Sequence, residues 1–313
     1  MIRNILIVFY SFCLLCFQYS CSNAFEFPDA KITVKVVGED GQPVAGVEVK
    51  VGFQVAKETE QGIKDIPIKG FTDGGGLFAT SHETVSDIAY AAVKEGYYGS
   101  YGEYHFNKKE NGKWLPWNPT VMLVLRNKEK PMPMYHRELD IEMPIIGKEV
   151  GFDLIEYDWI APYGKGKHAD FIFKLDKKFK TRDEFDSTLT VTFSEKHDGI
   201  QVVKENRRFG SSFKLPRFAP KSGYQKKLTH FKKRSPGKPI EDDYADDNNY
   251  IFRIRSEEKD GKLWKAMYGK ILGEIRFDPM MSKTAYILFE YFVNPDYTRN
   301  LEHGKNLFED VKK

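Results

Sequence analysis

Short runs in which apolar and polar residues alternate, broken by glycine and proline turns, constrain this chain more than any other feature. Over residues 31–37, Ile32, Val34 and Val36 share one face while Lys31, Thr33 and Lys35 share the other. Successive side chains of a strand point to opposite faces, so period two with β-branched residues predicts a half-buried strand. Asp40-Gly41-Gln42-Pro43 follows as a turn, and alternation resumes at Val47, Val49, Val51 and Phe53. Residues 57–70, rich in charge and glycine, read as a loop. Residues 71–78 read as a turn opening into a strand, and 88–93 and 121–125 as further strands. No stretch carries a convincing amphipathic helical period, so the first half is expected to be a β-sandwich.

The first two dozen residues read differently. Arg3 is followed by a 13-residue apolar run at 5–17, then a polar stretch ending in the small residues Ser22 and Ala24. That is the layout of an export signal, residues 1–24, and it is too short for a comfortable membrane span. All three cysteines, Cys13, Cys16 and Cys21, lie inside it. The exported chain would then be free of cysteine and held together by packing alone, in the periplasm or outside the cell. Cys21 follows Ser20, so lipid attachment at Cys21 is the alternative to soluble export. Cleavage leaves 289 of the 313 residues, enough for two domains with separate cores. Charged residues at 30% exclude an integral membrane body and leave no transmembrane segment after signal removal, and a formal net charge of +3 gives no global drive toward nucleic acid.

Asp40-Gly41-Gln42-Pro43-Val44-Ala45-Gly46-Val47-Glu48-Val49, then Thr72-Asp73-Gly74-Gly75-Gly76-Leu77-Phe78, then Gly96-Tyr97, resembles the carboxypeptidase regulatory-like domain. The resemblance covers residues 30–127 and implies a seven-stranded, prealbumin-like sandwich recurring in exported bacterial proteins. Its motifs are turn chemistry, with glycines at left-handed positions and an aspartate able to bond its own backbone two residues on. It transfers no catalytic residue. A long insertion between Gln54 and Gly70 and the aromatic tract after Gly96 depart from the family pattern.

The expected layout is a sandwich at 28–127, a linker at 128–147 punctuated by Pro131, Pro133 and Pro144, and a second β-rich domain at 148–313. In that domain 171–175, 189–193, 250–254 and 286–292 read as strands, and 263–277 as another broken by Gly269 and Gly273. A second sandwich or jelly roll fits this pattern, giving an all-β fold throughout. The blocks 151–166 and 294–302 resemble uncharacterised exported proteins that pair this half with the same first domain, and no internal repeat is visible.

Catalytic signatures are missing. No histidine begins a His-x-x-Glu pair, and His82-Glu83 lacks a second histidine at metalloprotease spacing. Ser211-Ser212-Phe213-Lys214 matches the Ser-x-x-Lys pattern of penicillin-recognising enzymes without its companion motifs, and reads as chance. Glu138, Asp140 and Glu142 alternate with apolar residues, so a strand would put the three acids on one face. Asp242, Asp243, Asp246 and Asp247 supply oxygen ligands of the kind hard Ca²⁺ favours, the one cofactor this sequence suggests.

Two segments carry the binding chemistry. Residues 204–238 hold 12 Lys or Arg against one acid, Glu205, with phenylalanines and Tyr224 interleaved. Lys226, Lys227, Lys232, Lys233 and Arg234 are the expected contacts to an anionic polymer, by counterion release. The plainer alternative is a solvated loop whose charge pairs with the acidic stretch after it. Tyr97, Tyr98, Tyr101, Trp114 and Trp117 form the other segment, where flat rings can stack on sugars or close a sandwich end. These readings together predict an exported, non-catalytic binding or scaffolding protein of the cell envelope, with polysaccharide the expected ligand class. The alternatives are a glycan hydrolase using carboxylates of the second domain, and a stalk docking a protein partner.

Overall fold

The computed structural model describes residues 27–56 and 62–308. The export signal, the lipid-attachment candidate Cys21 and residues 57–61 of the expected loop lie outside the described residues. The first half contains β1 (Asp29–Gly38), β2 (Glu48–Ala56), β3 (Ile63–Phe71), β4 (Leu77–Glu83) and β5 (Asp87–Val93). It continues through β6 (Tyr97–Tyr98), β7 (Ser100–His105), β8 (Lys108–Glu110), β9 (Lys113–Leu115) and β10 (Thr120–Asn127). One sheet is built around β10, β1 and β4, and the facing sheet runs β7-β5-β2-β3. The predicted alternation is what fills the space between them. Ile32, Val34 and Val36 meet Val49, Val51 and Phe53, closed by Ile88, Leu123 and Leu125.

The turn chemistry operates as the residue types require. Gln42 N–H donates to Asp40 Oδ1 at 3.0 Å, and Asp73 Oδ1 accepts from the N–H groups of Gly75 and Leu77, each at 2.9 Å. Gly76 has φ +73°, and a Cβ there would lie 2.5 Å from Val36 O, so only glycine fits. One expectation changes: residues 63–70, read as the end of a loop, belong with Phe71 to β3, paired along its length with β2. Ile66 and Ile68 pack against the core from this edge strand, while Pro67 sits where an edge tolerates it.

The second half contains β11 (Met132–Glu142), β12 (Val150–Asp153), β13 (Asp158–Trp159), β14 (Phe171–Thr181), β15 (Glu184–Thr192) and β16 (Gly199–Lys204). It ends with β17 (Gly210–Ser211), β18 (Lys227–Arg234), β19 (Glu241–Asp242), β20 (Asn248–Lys259), β21 (Lys262–Asp278), β22 (Tyr286–Asn294) and β23 (His303–Asn306). Sheets β16-β20-β21-β22-β11-β23 and β13-β12-β14-β15-β18-β19 enclose a core of Phe152, Phe171, Phe173, Phe252, Phe289 and Tyr291 with their aliphatic neighbours. The chain is all-β, as expected.

Two further expectations are corrected here. The stretch 128–147 is not simply a linker, because its β11 pairs with β22 over eight residues and buries Leu139 in the second core. Gly269 does not break 263–277 either, and β21 runs through it unbroken for 17 residues. A Cβ at Gly269 would lie 2.2 Å from Phe252 Cζ and 2.4 Å from Phe292 O, so glycine there makes room for a ring. Gly273, at φ +88°, marks a register shift between Leu272 and Arg276, the bulge geometry glycine favours.

The two halves are joined by more than the chain. Residues 205–219 cross from the second sandwich onto the first, where β17 pairs with β7 as an extra strand. Ser212 N–H donates to Gly99 O at 2.8 Å. Arg126 donates to Phe213 O at 2.9 Å and Leu215 O at 2.7 Å. Arg217 lies among Glu39, Glu129 and Glu302 at 3.0, 3.3 and 2.8 Å.

Candidate functional site

The outward face of the sheet β17-β7-β5-β2-β3 bears a groove of about 670 Å³. Its floor consists of Gly52, Ala89 and Ala91, with Gly52 opposite Ala89 and Lys50 opposite Ala91. These positions point away from the core because their neighbours Val51, Phe53, Ile88, Tyr90 and Ala92 point into it. Tyr101 rises beside Ala91, 48% exposed. On the same side the crossing segment supplies Arg208 and Phe209. Arg208 Nη2 holds Glu103 Oε2 at 2.7 Å, and its guanidinium lies 4.8 Å from the Phe209 ring centroid.

The far end of the groove is polar. Gln54 Nε2 donates to Asp65 Oδ1 at 2.9 Å, and Asp87 accepts from the Ser86 hydroxyl at 2.7 Å and pairs with His105 Nδ1 at 2.7 Å. The Ser86 bond first, then His105, hold Asp87 below the ordinary carboxylate range. That is the opposite of the raised value a general acid needs. The arrangement suits recognition of hydroxyl groups, which donate to carboxylates and accept from amide, ammonium and guanidinium donors.

Gly52 carries the argument. A glycine inside a strand is destabilising, and its use there marks a bulge, a bend or a close approach by something else. Gly52 lies in regular pairing with Pro67 and Ala89, its φ is not in the left-handed region, and a Cβ would meet nothing nearer than Ala89 O at 3.7 Å. Among the described residues nothing demands glycine at this point, so the missing side chain leaves space over the floor.

Of the aromatic tract, Tyr101 lines the groove and Trp117 is exposed elsewhere, with Lys113 over its ring at 4.8 Å. Tyr97 and Trp114 pack against the first core, and Trp114 Nε1 donates to Thr84 O at 2.9 Å. Tyr98 seals the junction of the halves, its ring tilted against Phe213 with centroids 5.0 Å apart and its hydroxyl donating to Glu302 at 3.1 Å. Burial, followed by the Glu302 carboxylate, pushes its phenol up to about 12.

The five cations of the basic segment lie on the second sandwich, away from these rings. Lys226 Nζ donates to Glu195 O. Lys233 pairs with Glu241 at 3.0 Å and Arg234 with Asp183 at 2.8 Å, while Lys227 and Lys232 occupy opposite faces of β18, next to Thr192 and Ser187 of β15. These cations thus lie in and beside a paired strand, two of them in ion pairs. Lys204 also reaches the following acidic stretch, at Asp247, 2.9 Å away. Lys214 is buried and donates to Asn206 O at 3.1 Å and Phe209 O at 2.5 Å, serving the crossing rather than Ser211.

The calcium candidates are not brought together. Asp242 Oδ1 accepts from Tyr244 N–H at 3.3 Å, Asp243 from Phe231 N–H at 3.1 Å, and Asp247 pairs with Lys204. Among the described residues no three His, Cys, Asp or Glu side chains form a group that could hold a metal. Glu138, Asp140 and Glu142 do share an exposed face of β11, with Glu142 accepting from Tyr286 Oη at 3.2 Å. The sequence reading missed Gly52, Ala89 and Ala91, which carry no chemistry of their own and acquire meaning only side by side.

No protein-family model matches this sequence, and no curated protein matches it. Among solved structures, the chain is similar to 3-chlorocatechol 1,2-dioxygenase from Rhodococcus opacus 1CP, at 14% identity and a TM-score of 0.27. That likeness covers 33% of this chain and 61% of the dioxygenase, and carries no argument about function. Among the described residues no helix is long and apolar enough to cross a membrane.

Proposed function

We propose that this chain is an exported, non-catalytic binding protein of a bacterial cell envelope, and that its groove takes a segment of neutral polysaccharide. The observation that carries this reading is the unfilled floor at Gly52, Ala89 and Ala91 beside the exposed Tyr101 ring. A flat aromatic face next to a shallow floor accommodates the apolar side of a pyranose, and the Gln54–Asp65, Asp87–His105 and Glu103–Arg208 pairs offer partners to its hydroxyls. Acids and bases are mixed around the groove, which favours a neutral polymer over the anionic one expected from the basic segment.

Residues 1–24 support export. The carboxypeptidase regulatory-like assignment of the first half is part of this proposal. Three principal strands, β10, β1 and β4, facing four, β7, β5, β2 and β3, agree with a seven-stranded sandwich.

Electrophoresis of the full exported chain through gels containing soluble neutral polysaccharides tests the reading. Retardation that persists at high salt and falls roughly tenfold in apparent affinity in Tyr101→Ala is the expected result. Retention only on anionic polymers, abolished by salt and indifferent to Tyr101, rules the groove out.

A further inference from the structure

We propose a second glycan contact on the second sandwich, formed by Trp264 and Tyr297 with the Lys265 ammonium between them. Trp264 is 61% exposed and Tyr297 41%, and Lys265 Nζ lies 4.8 Å from the centroid of each ring. Lys265 is itself held by Glu257 at 2.9 Å. Both rings thus belong to one surface, over 30 residues apart in sequence.

Each ring is presented by a backbone irregularity. Near the tip of the β20–β21 hairpin, Glu257 pairs with Lys265 and Glu258 with Leu263. One step along β20 therefore opposes two along β21, and Trp264 is the extra residue. A bulge of this kind re-aims the side chain it carries. Tyr297 has φ +62°, a left-handed conformation that a bulky residue adopts only where the surroundings impose it. Here Asp296 N–H donates to Asn294 Oδ1 at 2.9 Å and Thr298 N–H to Asp296 Oδ1 at 2.8 Å, fixing the loop around the ring. Both irregularities leave their rings partly exposed.

The surroundings select the ligand class. A lipid surface or an apolar protein face calls for contiguous hydrophobic area, whereas these rings share an ammonium that Glu257 holds, and Asp296 adjoins Tyr297 in the chain. Ring faces flanked by charged donors and acceptors match a sugar, which offers a C–H face and hydroxyls together. The ligand class is the one proposed for the groove, yet the two sites share no residue and stand or fall separately.

The test uses the full exported chain labelled with 5-fluorotryptophan, whose Trp264 resonance is assigned by its loss in Trp264→Ala. Gels containing laminarin, galactomannan or xylan, and titration with oligosaccharides of the same three polymers, supply the probes. The platform predicts that Tyr101→Ala keeps a residual retardation, that adding Trp264→Ala weakens it roughly tenfold, and that the Trp264 resonance moves with the oligosaccharide. Tyr297→Asn, which tolerates the left-handed backbone, is expected to weaken it too, and separates loss of the ring from loss of the loop. A Trp264 resonance unmoved by every oligosaccharide, with Trp264→Ala running as its parent, overturns the proposal. So does a resonance moved only by phospholipid vesicles. Full loss in Trp264→Ala with none in Tyr101→Ala leaves this platform standing and removes the groove.

Discussion

At the scale of residues, a strand glycine with no steric reason for being one can be filled, and the outcome separates stability from binding. Gly52→Val adds a β-branched side chain at an ordinary extended position, where nothing lies closer than 3.7 Å to the new Cβ. Stability should rise by about 0.5–1 kcal/mol, read from urea unfolding, while retention on neutral polysaccharide falls to the residual level of Tyr101→Ala. A stable variant retained as strongly as its parent would mean the floor is not the contact. Lys270 is the opposite case, a side chain whose cost is visible. Only 3% exposed, it lies between the rings of Phe213 and Phe292 at 4.7 and 5.1 Å. Burial, and then the nearby Arg126, lower its amine from the ordinary lysine range to about 7. Between pH 7 and 10.5 the unfolded chain therefore holds a proton that the folded chain has released, so stability rises with pH across that window. Below pH 7 both forms are protonated and the penalty is fully present. Lys270→Met should be more stable than the parent at pH 6, and the gap should close as pH approaches 10, measured by parallel denaturant curves. A gap that does not change with pH would contradict this. Sequence shows neither effect, because a lysine's burial and a glycine's neighbours are set by strands distant in the chain.

At the scale of elements, the β-strands were legible where one face was fully buried and illegible where it was not. β1, β2 and β10 alternate cleanly because the inward rows meet a core. β3 is an edge strand whose inward residues Ile66 and Ile68 are only half-buried, and its charges and Pro67 read as loop. Pro131 and Pro133 suggested a linker because proline interrupts ladders, yet they stand at the start of β11, whose remaining residues complete a sheet. In β21 the glycines looked like breaks, but glycine has two uses in a strand, and sequence does not distinguish them. Gly273 supplies a bulge, while Gly269 supplies room. Gly269→Ala forces a Cβ into the Phe252 ring and should cost about 1–3 kcal/mol or more by overpacking, seen as a lower urea midpoint with an unchanged slope. An unaltered midpoint would show that the ring can step aside. The bulge that carries Trp264 has no signature in the sequence, since its extra residue is defined only by the register of the partner strand.

At the scale of the whole molecule, the basic segment divides in two. Residues 205–219 are the strap that docks one sandwich on the other, while Lys226, Lys227, Lys232, Lys233 and Arg234 lie beyond it, beside and along β18. Phe213 receives Arg126, Arg217 and Lys270 at 4.1, 5.1 and 4.7 Å from its ring centroid. Glu302 is fully buried; burial would raise its carboxyl, but the Lys130 N–H, Arg217 and the Glu129 N–H outweigh that and hold it below the usual range. The cost of desolvating both charges offsets much of the attraction in the buried Arg217–Glu302 pair, while removing one partner would leave the other buried and unpaired. The consequence for function is that the groove is a joint product, with its floor from the first sandwich and the wall of Arg208 and Phe209 from the second. The aromatic tract and the basic segment, read separately in the sequence, both line it, through Tyr101 on one side and Arg208 and Phe209 on the other. The most direct measurement is a titration of the full exported chain, ¹³C-labelled at alanine methyls, with oligosaccharides of a polymer that retards it. The account predicts that the Ala89 and Ala91 methyl resonances shift, while those of Ala30 and Ala285, buried in the two cores, stay in place. Binding that leaves Ala89 and Ala91 unmoved would contradict the groove as the site.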